Sequence, residues 1–198
     1  MALPAVAQAA YLADTLERLA REHAPESAAV IGCAGGNGFD RLAAAGVSRV
    51  VGVDINPSYL AETKRRYLAR FQYLELLECD VASQACRFDP ADLIFAALIF
   101  EYIGVTAGLA SLRRHVRRGG LVAAVLQLPH PAIAAVTPGP FTSLSKLEPI
   151  QRLVAPEQFV HAAERAGFGL QSSVRRVLSS GKAFQEMLLS PHPDSACP

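Results

Sequence analysis

Two short apolar runs, the first followed by a glycine-rich turn and the second by an aspartate, most constrain what this chain can fold into. Residues 28–31 are apolar and are followed at once by a glycine-rich turn, which predicts a short buried strand rather than a helix. A second apolar run ends at Asp54, which follows Gly32 at about the 20-residue separation of one βαβ unit. The pattern therefore predicts a carboxylate beside a glycine-rich loop, at the carboxyl ends of two neighbouring parallel strands.

The glycine-rich turn suits a ligand that lies against the backbone. Glycines remove the side chains that would hold a ligand away, and they allow positive φ where the loop folds back. A helix that begins near Phe39 would direct its unpaired N–H groups toward the same place. Asp54 can accept hydrogen bonds from both hydroxyls of a ribose. We therefore expect a nucleoside-containing ligand at this loop.

The glycine spacing distinguishes between two classes of ligand. A dinucleotide loop needs G-x-G-x-x-G to bind a pyrophosphate, but counting from Gly32 the third and sixth residues are Ala34 and Asn37. The chain also lacks a Tyr-x-x-x-Lys pair. An NAD-dependent oxidoreductase is therefore disfavoured.

The sequence from Val30 to Gly36, VIGCAGG, resembles the nucleoside-binding loop of class I S-adenosylmethionine-dependent methyltransferases, an acid and any residue followed by G-x-G-x-G. Val30 replaces the acid and Ala34 replaces the middle glycine. The resemblance implies S-adenosyl-L-methionine as cofactor, S-adenosyl-L-homocysteine as product, and no metal. It assigns to the cofactor the residues Gly32, Cys33, Ala34, Gly35, Gly36, Asn37, Gly38, Asp54 and Ile55.

Apolar periodicity predicts an α/β fold for the whole chain. We expect strands at 28–32, 49–54, 73–81, 91–98, 119–129, 170–180 and 183–190, and helices at 5–23, 38–45, 57–70, 105–117 and 155–168. The first five strands are continuous apolar runs, which is typical of a parallel sheet covered on both faces. The expected architecture is a doubly wound, mostly parallel seven-stranded sheet with a C-terminal antiparallel hairpin, in one domain over residues 1–198. This is the class I methyltransferase fold.

The resemblance extends to the ends of the third and fourth strands. It implies that Asp80 binds the adenine amino group, that the Val81 N–H meets the adenine ring, and that Ala97 and Leu98 flank the methionine portion. An alternative interpretation is that Asp80 caps a turn before Ser83.

Candidates for the acceptor side follow the fourth and fifth strands. Small-molecule methyltransferases commonly have an acid and a histidine where this chain has Glu101 and Tyr102, and His130 follows the fifth strand at the ligand-bearing edge. These three are the candidate catalytic residues. We expect the acceptor pocket to contain Tyr11, Glu101, Tyr102, Gln127 and Phe141. The proline-rich residues 130–156 cannot form a continuous helix, so they are predicted to be a lid or substrate loop.

Composition restricts the partners. The formal net charge of +1 provides no overall attraction for nucleic acid or anionic lipid, and no apolar run approaches the ~20 residues that cross a bilayer. Four cysteines without C-x-x-C spacing predict reduced thiols, no metal site and a cytoplasmic location. The sequence specifies neither the acceptor nor the oligomeric state.

Two functional hypotheses remain. The first is S-adenosylmethionine-dependent methyl transfer to a small molecule, in which the protein aligns the acceptor and excludes water. Because Val30, Ala34 and Tyr102 depart from the family pattern, the second is a catalytically inactive protein of the same fold that binds a nucleoside-containing ligand or a protein partner.

Overall fold

A single mixed sheet with helices on both faces organises the computed structural model, which describes residues 4–130 and 151–193. The strands are β1 (Ser27–Ile31), β2 (Arg49–Asp54), β3 (Tyr73–Glu78), β4 (Ala91–Ala97), β5 (Val116–Gln127), β6 (Phe168–Val177) and β7 (Ala183–Pro191). The helices are α1 (Pro4–His23), α2 (Phe39–Ala44), α3 (Pro57–Tyr67), α4 (Val105–His115) and α5 (Pro156–Arg165).

The strand order is β3-β2-β1-β4-β5-β7-β6. Strands β1 to β5 are parallel to their neighbours, whereas β7 pairs antiparallel with both β5 and β6. The strand order reverses beside β1, which pairs with β2 on one side and β4 on the other. In open α/β sheets, ligands bind outside the carboxyl ends of the strands at such a reversal. The topology therefore places the loops that follow β1, β2 and β4 at one edge.

The apolar core has two parts, one on each face of the sheet. On one face, Leu16 of α1 and Phe39 of α2 are fully buried, and on the other face Leu109 of α4 and Phe159 of α5 are fully buried. All five residues of β1 are buried, because this strand is covered on both faces. The continuous apolar runs of the central strands have this origin.

The predicted seven-stranded architecture with its C-terminal antiparallel hairpin is confirmed. Several element ends differ from the prediction by one to three residues, and two of them illustrate the local cause. The helix predicted to reach residue 70 ends at Tyr67 and continues as a 3-10 turn over Leu68–Arg70. Strand β3 ends at Glu78 rather than at 81, because a turn begins at Asp80, whose carbonyl accepts a hydrogen bond from the Ser83 N–H (2.9 Å).

The prediction of reduced thiols is wrong for Cys79 and Cys86, which form a disulfide across Cα atoms 5.6 Å apart. The turn that follows β3 folds this segment back on itself, with the Cys86 N–H donating to the Ser83 carbonyl (3.3 Å). Nothing in the spacing of the two cysteines signals this approach. Cys33 is a free, buried thiol.

Within residues 4–130 and 151–193, no helix is long and apolar enough to cross a membrane. The same residues contain no cluster of His, Cys, Asp and Glu side chains suited to a metal ion.

Helix α1 is attached to β7 through one carboxylate. Glu186 on β7 accepts hydrogen bonds from the Tyr11 hydroxyl (2.8 Å) and from the Arg18 guanidinium (2.7 Å). The Thr15 hydroxyl also donates to Glu186, at 3.3 Å. Burial, together with the hydrogen bond to Glu186, raises the pKa of Tyr11 above its usual value. These contacts hold the middle of α1, from Tyr11 to Arg18, against the antiparallel end of the sheet.

We expect Glu186→Ala to lower the free energy of unfolding by about 2 kcal/mol, because it leaves the half-buried Tyr11 hydroxyl and the buried Thr15 hydroxyl without this acceptor and removes one of the two carboxylate partners of Arg18. Urea denaturation measures the change. Glu22→Ala is the matched control, since it removes a solvent-exposed ion pair with the same Arg18 and should cost less than about 0.5 kcal/mol. Equal losses in the two variants would contradict the anchoring role of Glu186.

Candidate functional site

The glycine-rich loop is attached to β2 and packed against α3. The N–H groups of Gly32 and Cys33 donate to the Val53 carbonyl, at 2.8 and 3.1 Å. Gly36 adopts φ +80°, and a Cβ atom there would lie 2.6 Å from Cε2 of Tyr67. Glycine is therefore required at 36 both by the backbone conformation and by the close approach of α3.

Ala34 and Asp54 form the centre of the loop's hydrogen bonding. Asp54 Oδ2 accepts from the Ala34 N–H (2.8 Å), and Oδ1 accepts from the Asn56 N–H (2.9 Å). Ala34 has φ 47°, so an L-residue occupies the left-handed region at the position where the family motif has glycine. The structure thus brings Asp54 beside the loop, as the βαβ spacing predicted, and it fixes the orientation of the carboxylate.

Two further residues assigned to the cofactor extend this surface. Ile55 follows Asp54 and is 72% exposed, which leaves an apolar side chain open beside a carboxylate. Asn37 donates its side-chain N–H to the carbonyl of Ala9 in α1 (3.0 Å). The N-terminal part of α1 therefore lies against the glycine-rich loop.

Asp80 and Val81 lie in the turn after β3. Cys79, at the start of this turn, donates its N–H to the Asp54 carbonyl (3.2 Å), so the turn is adjacent to the Asp54 end of β2. Asp80 Oδ1 accepts from the Ala82 N–H (2.8 Å), which is the turn-capping contact of the alternative interpretation. This contact uses one carboxylate oxygen of an exposed side chain. It is compatible with a second role for Asp80.

The segment after β4 passes directly beside the glycine-rich loop. Leu98 has φ 55° and donates its N–H to the Val125 carbonyl (2.9 Å), so the chain bends where Ala97 ends the strand. A Cβ atom at Gly32 would lie 3.3 Å from Cδ1 of Ile99. Two non-glycine residues with positive φ, Ala34 and Leu98, therefore occur at the same edge of the sheet, where strain of this kind commonly accompanies function.

Glu101 is a buried acid at this edge. It is 2% exposed, and its Oε1 accepts a hydrogen bond from the backbone N–H of Gln127 (2.7 Å). Its Oε2 is buried and has no hydrogen-bond partner among the residues that the structure describes. Burial raises the pKa of Glu101 to about 7, and the backbone hydrogen bonds only partly oppose it. Burial and the neighbouring Glu101 also raise the pKa of Tyr102.

A cavity of about 630 Å³ adjoins Glu101 and Tyr102. Its walls come from the turn after β4, the start of α4, residues 152–154 and one face of α5. The Arg152 N–H donates to the Glu101 carbonyl (2.8 Å), which holds the segment before α5 against this turn. The volume is within the range of about 300–1,000 Å³ that is common for small-molecule sites.

The structure brings together only some of the predicted acceptor residues. Glu101 and Tyr102 line the cavity, and Gln127 contacts Glu101 through its backbone. The Tyr11 hydroxyl instead binds Glu186, and the Tyr11 ring stacks on Phe184 with ring centroids 5.1 Å apart. His130 is exposed. Phe141 and most of the predicted lid, residues 130–156, lie outside the described residues.

Sequence reasoning missed two basic residues near this edge. Arg152 lines the cavity. Lys182 is 4% exposed and donates to the Gln8 side chain (3.3 Å), and burial lowers its pKa. Neither occurs in a recognisable motif, because both reach the site through tertiary packing.

Comparison with known proteins agrees with this geometry. Residues 29–120 match the model of the methyltransferase domain family. No curated protein has a significant sequence match to the chain. Magnesium protoporphyrin IX methyltransferase from Synechocystis PCC 6803 with bound SAH has a TM-score of 0.70 at 14% identity, covering 93% of this chain and 83% of that chain.

Two other solved structures are similar at the level of fold. The N-methyltransferase NodS from Bradyrhizobium japonicum WM9 has a TM-score of 0.67 at 14% identity, covering 94% of this chain and 97% of that chain. The [4+2]-cyclase SpnF has a TM-score of 0.67 at 12% identity, covering 90% and 81%. Residues 29–120 thus match a methyltransferase domain, and the resemblance to the class I S-adenosylmethionine-dependent methyltransferase family is confirmed.

Proposed function

We propose that the protein transfers the methyl group of S-adenosylmethionine to a small-molecule acceptor. The observation that carries this proposal is the position of the Asp54 carboxylate, which accepts hydrogen bonds from the N–H groups of Ala34 and Asn56. It lies beside the glycine-rich loop, where the close approach of α3 leaves no room for a side chain at Gly36. A carboxylate in this position suits a ribose, because it can accept from two adjacent hydroxyls. Solved neighbours of the same fold contain bound SAM or SAH.

The residues at this edge fit the parts of such a cofactor. We assign the loop Gly32–Gly38 to the methionine and ribose side, and Asp54 to the ribose hydroxyls. The exposed Ile55 offers an apolar surface for the adenine ring, whose polar edge would meet Asp80 and the Val81 N–H. Ala97 and Leu98 would flank the methionine portion. Val30 is 4% exposed inside β1, so it offers no carboxylate to the cofactor's ammonium group.

Methyl transfer requires little of the protein beyond alignment and water exclusion. The bound cofactor supplies a methyl group on a sulfonium that is already an activated leaving group. The cavity beside Glu101 holds the acceptor close to the loop, since Ile99, two residues earlier, packs on Gly32. Orientation of the acceptor beside the methyl group lowers the entropic part of the barrier.

Glu101 is the residue that we assign as proton acceptor. Its Oε2 is the oxygen left without a described hydrogen-bond partner, and Oε1 is held by the Gln127 N–H. A pKa of about 7 suits a general base near neutral pH. A tyrosine is already neutral near pH 7, and burial raises the pKa of Tyr102 further, whereas His130 is exposed, so both are weaker candidates for this role.

The second candidate is a protein of this fold that binds the nucleoside ligand without transferring a methyl group. Val30 and the left-handed Ala34 favour it, since both depart from the motif. The fold alone does not determine the reaction, as the [4+2]-cyclase neighbour illustrates. Binding of S-adenosylhomocysteine without turnover of any acceptor would support this candidate.

We expect S-adenosylhomocysteine to bind in about the micromolar range and to raise the melting temperature, whereas NAD should do neither. Asp54→Asn should weaken this binding about tenfold or more, because it removes a charge that strengthens hydrogen bonds to ribose. Asparagine is preferable to alanine here, since it keeps one acceptor oxygen for the N–H groups of Ala34 and Asn56, whereas alanine would release both. Isothermal titration calorimetry measures the affinity.

The matched control for this experiment is Asp89→Asn, an exposed acid that precedes β4 at the opposite edge of the sheet. It should bind S-adenosylhomocysteine like the wild type. If Asp54→Asn binds as tightly as this control, Asp54 does not contact the ribose. If NAD raises the melting temperature and S-adenosylhomocysteine does not, the loop binds a dinucleotide and the proposed cofactor is wrong.

Glu101→Gln should change how stability depends on pH. A carboxyl whose pKa is raised by folding binds its proton more tightly in the folded state, so its contribution to stability is lost as pH rises from about 4.5 toward 7. Over that range the wild type should lose about 3 kcal/mol relative to the variant. Urea denaturation of the two proteins at pH 4 and pH 8 measures the change. If the difference in stability between the wild type and Glu101→Gln is the same at both pH values, the pKa of Glu101 is not raised.

A further inference from the structure

We infer that the acceptor carries an anionic group, a carboxylate or a phosphate, which Arg152 and Arg165 bind at the rim of the cavity while its hydroxyl or amine nucleophile lies at Glu101. This inference rests on the proposed function, because it identifies the substrate class of the same site. The two arginines lie outside the glycine-rich loop and outside the matched residues 29–120.

The charge of the cavity wall is the first observation. Arg152 and Arg165 are the cationic side chains among the described residues that line it, and Glu101 is the acidic one. Both arginines are exposed, and neither forms an ion pair with a carboxylate in the part of the chain that the structure describes. Many other arginines do form such pairs, namely Arg18, Arg21, Arg41, Arg49, Arg65, Arg117 and Arg176. The two guanidinium groups at the cavity are therefore available to an anion.

The start of α4 adds to this positive potential. Gly104 is the N-cap residue and provides no side-chain hydrogen bond, and the first turn of the helix contains no acidic residue. Gly104, Val105 and Thr106 all line the cavity. The unpaired N–H groups of the first turn and the positive end of the helix dipole therefore lie in the same wall as the arginines.

Glu101 is the second, independent observation. Its buried Oε2 lacks a hydrogen-bond donor among the described residues, and it forms no ion pair with Arg152, although the backbones of these two residues are hydrogen-bonded at 2.8 Å. A buried carboxyl oxygen without a donor from the protein can accept a hydrogen bond from an O–H or N–H group of a ligand. The cavity thus has a proton acceptor in its wall and positive charge at its rim.

Apolar side chains also line this cavity. Phe100, Ile103 and Val154 contribute to the wall, so the part of the acceptor between its nucleophile and its anion should be a carbon skeleton. Planar guanidinium groups bind carboxylate and phosphate oxygens in pairs, which makes them selective for anions over neutral amides. A cationic acceptor is disfavoured because the rim would repel it.

The test uses the full chain saturated with S-adenosylhomocysteine and small probes in matched pairs. The pairs are 3-hydroxybenzoate with 3-hydroxybenzamide and 3-aminobenzoate with 3-aminobenzamide, and 3-hydroxyphenyl phosphate distinguishes phosphate from carboxylate. Calorimetry should show that an anionic probe binds about tenfold or more tightly than its amide partner. In the double variant Arg152→Gln with Arg165→Gln, this preference should fall to about twofold or less.

The matched control is Arg114→Gln with Arg118→Gln, two exposed arginines near the opposite end of α4 that do not line the cavity. It should retain the preference for the anion. Equal or tighter binding of the amides, no binding of any anionic probe up to about 10 mM, or an unchanged preference in the Arg152 and Arg165 variant would overturn the inference. Failure of S-adenosylhomocysteine to bind the wild type would instead contradict the proposed function.

Discussion

The pairing of β1 with both β2 and β4 is the constraint on which the rest of this structure depends. Strand β1 is buried on both faces and paired on both sides. The glycine-rich loop that follows it therefore lies at the centre of the sheet edge. The same pairing brings Asp54, from the end of β2, and Ile99, from the turn after β4, beside that loop. The site is thus a consequence of strand order.

The loop itself is held from three directions. The Val53 carbonyl binds its first two N–H groups, the Asp54 carboxylate binds the Ala34 N–H, and the Thr63 hydroxyl donates to the Ala34 carbonyl (3.0 Å). With these contacts the left-handed conformation of Ala34 is maintained despite its cost of about 1–2 kcal/mol. A pre-formed loop of this kind loses little conformational entropy when a ligand binds.

Electrostatics divide the edge of the sheet into two regions. Near the loop lie the carboxylates of Asp54 and Asp80, which we propose for the ribose hydroxyls and the base of the cofactor. Near the cavity, one buried carboxyl, Glu101, is combined with two exposed guanidinium groups, those of Arg152 and Arg165, so positive charge predominates. Segregation of this kind allows one site to hold a nucleoside and a different small molecule side by side.

Local patterns in the sequence determined the strands, the loop and the place of Asp54. Continuous apolar runs, four closely spaced glycines and the length of one βαβ unit are local properties, so they could be interpreted without knowledge of packing. Tertiary structure alone decided the Cys79–Cys86 pairing, the attachment of α1 through Glu186, and the contact of Arg152 with Glu101. The raised pKa of Glu101 belongs to the same group, because it arises from burial, and burial depends on which distant segments cover a residue.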